Sequence, residues 1–227
     1  MTTLARRLGL IDWKLEVENE RVKAYRNTQG PGEPAVLRTL KLIENEIGSS
    51  NPAERQRGLR NRAIVSLLYY LGLRRGMAMS ISLSDLEMDR NLVQTLEKGG
   101  GAQKSPRTMP VKVTESIRAW LGVRPDDVCA DELGDPLFCG LDENAAHVRL
   151  SGESVRRMLR RYGGILGVTI RPHGLRHSAI TEVLKKTNGN VRAAQKFSGH
   201  ASVETVVVYD DNRKDEQGAM ANLLAGE

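Results

Sequence analysis

Between Arg60 and Leu71 the apolar residues Ile64, Leu67, Leu68 and Leu71 recur at i, i+3, i+4 and i+7, which predicts an amphipathic helix with one face turned to a core. Gly72 ends that pattern and leaves Arg74 just beyond it. From Leu86 to Val113 the period changes to short apolar runs, broken by Asp89-Arg90-Asn91 and by Gly99-Gly100-Gly101, so a small antiparallel sheet is expected there, with Lys98 at a strand end beside a turn. Ser151 can cap a helix whose buried stripe is Val155, Met158, Leu159 and Tyr162. A further helix should start near Pro172, with Leu175, Ala179, Val183 and Leu184 facing inward. Asn190 can cap a short helix through Phe197, and Gly199 suits a left-handed residue at its end, presenting His200. By propensity alone the β-branched run from Val203 to Tyr209 reads as a strand. The pattern as a whole gives a mainly α protein with a small antiparallel β-sheet, an α+β fold.

The 227 residues allow one substantial core with a small appended piece. Residues 1–34 are mixed and charged and end in Gln29-Gly30-Pro31-Gly32, which reads as an arm or linker before a main domain at 35–227. There is no internal repeat and no low-complexity tract. A formal charge of +6 favours a polyanionic partner only weakly, but its distribution adds to it. Arg156, Arg157, Arg160 and Arg161 fall largely off the buried stripe of their helix and form a cationic ridge, which favours DNA contact over a merely solvated face. Cys129 and Cys139 form no Cys-x-x-Cys pair, so neither a disulfide framework nor a thiolate metal site is indicated and an intracellular setting is the default. No apolar run has the length of a signal peptide or a membrane span.

The chemistry concentrates in the last quarter: His173-Gly174-Leu175-Arg176-His177, then Gly199-His200, then Tyr209. His173 and Arg176, three residues apart, share a helix face. A phenol is a poor nucleophile near neutral pH and needs a base for its proton and cations for the charge it generates. Arginine's planar fork matches two non-bridging phosphate oxygens, so this set suits phosphoryl transfer better than acyl transfer. Competing readings are weaker. His173 and His177 have helical zinc spacing, but Gly174 stands where a metalloprotease has its glutamate, and Cys129, Cys139 and His147 lack ligand spacing. The triple glycine precedes Gln103-Lys104 rather than Gly-Lys, against a nucleotide-binding loop. His177 reads as a packing or supporting residue. Taken singly, Arg74 would be a helix-terminal cation and Tyr209 a half-buried aromatic.

Taken together, Arg74, Lys98, His173-x-x-Arg176, His200 and Tyr209 resemble, in order and spacing, the signature of the tyrosine recombinases or phage-type integrases, over roughly residues 35 to 227. The resemblance implies a catalytic domain of that family, with the tyrosine on a helix or nearby loop, preceded in relatives by a helical core-binding domain for which thirty-four residues are too few. It implies that Tyr209 attacks a backbone phosphate to form a 3′-phosphotyrosyl link, that Arg74 and Arg176 clamp the phosphate, and that His200 adds a hydrogen bond. His173 would be the general base and Lys98, rather than Lys104 in the same turn, the general acid. No metal or nucleotide cofactor is needed. The implied partners are double-stranded DNA and further protomers, in a tetrameric synapse on DNA, with a monomer when free. Relatives often carry an acidic residue three positions after the first arginine, where this chain has Met77. Two other readings stay open: relaxation of DNA as by type IB topoisomerases, and a catalytically idle DNA-binding protein. The tail stripe of Ala219, Met220, Leu223 and Leu224 is expected to dock on a neighbouring protomer in the assembly and on its own domain when free.

Overall fold

In the computed structural model the residues described are 30–96, 103–141 and 147–210, with positions 222 and 224–226 of the tail. Pro34 in its first turn sets the start of α1 (Glu33–Ile47). The helix expected around residue 64 is α2 (Pro52–Tyr70). It begins well before Arg60, because Asn51 accepts hydrogen bonds from the amides of Ala53 and Glu54 and Pro52 fits the first turn. One face was expected to be buried, yet from Gly58 to Tyr69 every residue except Arg62 is buried. The reason is its place: α1, α4 (Val111–Leu121) and α6 (Pro172–Lys186) pack around it, so no side remains for solvent. Even Arg60 is inside, donating to the Cys139 carbonyl at 2.9 Å.

After the short α3 (Arg75–Met79) and a 3-10 turn at Leu83–Asp85, three antiparallel strands follow in the order β1 (Leu86–Glu87), β2 (Leu92–Leu96) and β3 (Lys104–Thr108). Val93 pairs with Leu86 on one side and Arg107 on the other, and Val93 and Thr95 point into the protein. The sheet is therefore present but ends at Thr108, and Val113 belongs to α4. Residues 97–102, with Lys98 and the triple glycine, lie outside the described residues. Trp120 of α4 is fully buried and donates to the Leu137 carbonyl at 2.8 Å, closing the core on that side.

Ser151 caps α5 (Gly152–Leu166), Arg171 precedes α6, and Asn190 caps α7 (Val191–Ser198), which ends on left-handed Gly199. Against its strand propensity, the β-branched run forms the helix that the resemblance implied, α8 (Glu204–Asp210). Its Val206 and Tyr209 are buried with Ile180, Leu184 and Ala194 in a second, smaller cluster. That cluster overrides strand propensity by offering a helix face something to pack on. Phe197 touches both clusters and joins them.

The described end of the expected linker, from Gly30 on, lies against the domain. Gly30 and Gly32 hydrogen-bond to side chains of α6, and α1 starts inside the boundary drawn at residue 34. In the tail, Ala219, Met220 and Leu223 lie outside the described residues, while Leu224 is 89% exposed. Among the described residues no helix is long and apolar enough to cross a membrane.

Candidate active site

Arg176 is 1% exposed, and its position explains much of the site. One terminal nitrogen donates to the Gly72 carbonyl, and the other donates to the Ser198 carbonyl at 2.7 Å and meets His200 Nε2 at 3.0 Å. A single guanidinium thus ties the turn after α2 to the end of α7. Gly72 is required twice over. Its φ is +60°, and a Cβ there would stand 2.7 Å from Phe197 Cε1. The turn it makes delivers Arg74, which sits at the start of α3 in extended conformation. As the residue before α3, Arg74 gains nothing from the dipole of that helix.

The tautomer of His200 follows from its partners. Ser198 Oγ donates to the Gln195 carbonyl at 3.2 Å, so toward His200 Nδ1, 2.9 Å away, it accepts. His200 Nδ1 then carries the proton and Nε2 accepts from Arg176. Burial first, and then Arg176, Arg74 and His173, hold the basicity of His200 down to about 4. His173 is lowered by burial and by the charges of Arg176 and Arg74. Both histidines are therefore neutral near pH 7, one engaged by Arg176 and the other able to take a proton.

Tyr209 is 7% exposed, with its ring centroid 4.5 Å from that of His177 and 5.9 Å from that of His200. Burial raises its pKa, while Arg176 and Arg74 pull it back down. The tyrosine thus lies within the field of both arginines. Among the described residues it meets its histidines through ring contacts rather than a hydrogen bond to His173, and catalytic contacts commonly tighten only when substrate binds.

Five of the six residues singled out from the sequence, Arg74, His173, Arg176, His200 and Tyr209, come together here; Lys98 lies outside the described residues. Lys104 is committed elsewhere, donating to Asp85 Oδ1 at 2.6 Å, where Asp85 also accepts from the Ser82 amide. Met77 lies against Arg74, its sulfur 3.9 Å from a guanidinium nitrogen, a far weaker contact than a carboxylate would give. Sequence reasoning missed Arg107, which donates to the Phe197 carbonyl at 3.0 Å and braces the end of α7 beside Arg176. Nothing in the spacing marks it, because the contact is between β3 and α7.

The cationic ridge needs a correction. Part of its charge is neutralised from outside the run: Glu153 binds Arg156 through two hydrogen bonds of 2.8 and 2.7 Å, and Glu46 of α1 binds Arg161 at 2.6 Å. Glu46 also accepts from the Tyr162 hydroxyl at 2.7 Å, and Arg161 lies over the Tyr162 ring. Arg157 and Arg160 are exposed without a carboxylate partner among the described residues. Grooves of about 510 and 540 Å³ flank α5, the first lined by Arg57, Arg157 and Arg161 among others, the second by Arg156, Arg160 and Arg171.

A mainly helical domain with a small sheet, gathering two arginines, two neutral histidines and a tyrosine, with no carboxylate among the described residues of the cluster, defines an enzyme of the class that cuts and rejoins phosphodiesters through tyrosine. The comparisons agree, and the chain belongs to the phage integrase family, the tyrosine recombinases, whose model matches residues 42–216. It is 35% identical to a tyrosine recombinase of Synechococcus elongatus, over 99% of this chain and 68% of that protein. It is 33% identical to one of Synechocystis, over 99% of this chain and 69% of the relative. Among solved structures, XerA recombinase superposes with a TM-score of 0.64 at 24% identity, covering 87% of this chain and 65% of that one. The XerH site-specific recombinase bound to a palindromic difH substrate, in a post-cleavage complex, superposes at 0.69 and 20% identity, covering 88% and 54%. The chain thus spans about two thirds of the two cyanobacterial relatives and less of the solved chains.

Proposed function

We propose that this chain is a site-specific recombinase that breaks and rejoins double-stranded DNA through a covalent bond between Tyr209 and a 3′-phosphate. The observation that carries the reading is that the phenol of Tyr209 lies in the field of Arg74 and Arg176 although four separate chain segments, Gly72–Arg74, α6, Ser198–His200 and α8, must meet to put it there. Tyr209 Oη attacks phosphorus, His173 takes the phenolic proton, and the bond to the 5′-oxygen breaks as Lys98 protonates it. The phosphotyrosine conserves the bond energy, so a 5′-hydroxyl of another strand can reverse the step. Arg74 and Arg176 stabilise the charge on the non-bridging oxygens, and no metal or nucleotide takes part. His200 Nε2 accepts from Arg176 in the free protein; when bound DNA displaces that contact, Nε2 takes up a proton beside the phosphate charge and then donates to it.

DNA lies along α5, where Arg157 and Arg160 meet backbone phosphates directly, while Arg156 and Arg161 do so in competition with Glu153 and Glu46. The XerH relative was captured on a palindromic substrate, and a palindrome matches a two-fold pair of protomers. The protein is a monomer when free and assembles on paired sites, in a tetramer, with the tail around exposed Leu224 docking on a neighbouring protomer.

The test uses a duplex selected by this protein from a random-sequence pool and nicked beside the cleavage point, so that a cut strand diffuses away and the adduct is trapped. The wild type should form a covalent adduct and Tyr209→Phe none, with binding unchanged; an adduct in Tyr209→Phe removes the assignment. A 5′-bridging phosphorothioate, whose thiolate leaves without a proton, should rescue Lys98→Ala. Relaxation of a supercoiled plasmid without strand exchange between paired sites would make the protein a topoisomerase instead.

A further inference from the structure

The segment Gly30-Pro31-Gly32 lies against the back of the helix that carries His173 and Arg176. The Gly30 amide donates to His177 Nδ1 at 3.2 Å, and the Gly32 amide donates to Ser178 Oγ at 3.0 Å. The approach is so close that only glycine fits: a Cβ on Gly30 would stand 2.3 Å from the Gly174 carbonyl and from Ser178 Oγ. From the other side of the contact, a Cβ on Gly174 would stand 3.2 Å from Pro31 Cδ.

His177 is 5% exposed and carries the contact inward. A peptide N–H can only donate, so Nδ1 accepts and the ring proton sits on Nε2. The Thr181 hydroxyl, 3.4 Å away, faces the same nitrogen. With that edge fixed, the imidazole face lies against the Tyr209 ring, 4.5 Å between centroids and tilted by 43°. A bare packing role would ask only for a ring of this size at position 177. The hydrogen bond from Gly30 adds a fixed orientation, and it comes from a segment 147 residues away in sequence.

We propose that His177 is a positioning residue for Tyr209, and that the Gly30–Gly32 segment, by docking on α6, sets the orientation of His177 and so the presentation of the tyrosine. The proposal rests on the reading of Tyr209 as the nucleophile. It makes the docking of Gly30–Gly32 on α6 a determinant of strand cleavage.

The full chain and the nicked selected duplex serve as the test, with Gly30→Ala, His177→Phe, their combination and Ser178→Ala. Binding is read by gel shift and chemistry by the rate of adduct formation at saturating DNA. Gly30→Ala and His177→Phe should each slow adduct formation about tenfold with affinity unchanged, and the double variant should be no slower than either. Ser178→Ala, which removes only the outer anchor and introduces no clash, should slow it about threefold and covers the case of a misfolded Gly30→Ala. Wild-type rates in His177→Phe, which keeps the ring and loses the acceptor, would overturn the proposal. So would multiplicative losses in the double variant, since the two residues would then act separately. A wild type that forms no Tyr209-dependent adduct overturns the nucleophile reading itself, an outcome visible before any variant is made.

Discussion

The two arginines of the site are held in opposite ways. Arg176 is buried and spends its donors on two carbonyls and a histidine, whereas Arg74 is half-exposed and its described side-chain contact is a thioether at 3.9 Å. The first is a structural tie and, on the proposed reading, also a phosphate ligand. The second costs the free protein little and, on the same reading, gains its partner when phosphate arrives. One site therefore separates holding the segments together from meeting the substrate, and the two kinds of arginine should fail differently when removed.

The largest effect is expected from Arg176→Ala, which orphans the Gly72 and Ser198 carbonyls and His200 at once. Stability should fall by about 3 kcal/mol or more, and cleavage should vanish. Thermal melting checks this, and an unchanged melting temperature would remove the structural half of the comparison. Arg74→Ala should leave stability within about 0.5 kcal/mol while slowing adduct formation roughly 10²- to 10³-fold. A large loss of stability there would make the two arginines alike.

A pH series sharpens the contrast further, because His200 belongs to the Arg176 side. His177 and His200 are each lowered to about 4 in the folded protein, below an unfolded value of about 6.5. Between those values the unfolded chain binds more protons, so stability should be level above pH 7 and fall as pH drops from about 6.5 toward 4. Each histidine contributes at most about 1.4 kcal/mol per pH unit. His200→Asn should flatten the acid limb seen in thermal melts; an unaltered limb would assign the loss to other groups. The smallest effect is expected from Met77→Glu, which gives Arg74 a carboxylate and should raise the cleavage rate about two- to fivefold through a better-held guanidinium. Slower cleavage would mean that the loose arginine is itself the working arrangement.

Much of this was legible in the sequence where local rules suffice. Ser151, Asn190, Pro172 and Gly199 mark helix ends because capping is decided within a few residues. The ordered set from Arg74 to Tyr209 was legible because its chemistry needs those residue types. Contacts between distant elements were not. The burial of α2 on all sides depends on three neighbours that its own period cannot reveal. Glu46 neutralises Arg161 from a helix more than a hundred residues away, so the ridge looked more cationic than it is. The brace from Arg107 and the docking of Gly30 are likewise written in two places at once.

The ties of the site span 104 residues from Gly72 to Arg176, 90 from Arg107 to Phe197 and 147 from Gly30 to His177. Contacts of such separation close late, after local helices have formed. During synthesis the order is stricter still, since α7 and α8 are the last of the described helices to be made and both Ser198 and Tyr209 lie in them. In a partly made chain Arg176 has no α7 to grip, and Tyr209, the nucleophile on the proposed reading, is not yet present. On that reading the capacity to cut DNA is withheld from incomplete copies by topology alone.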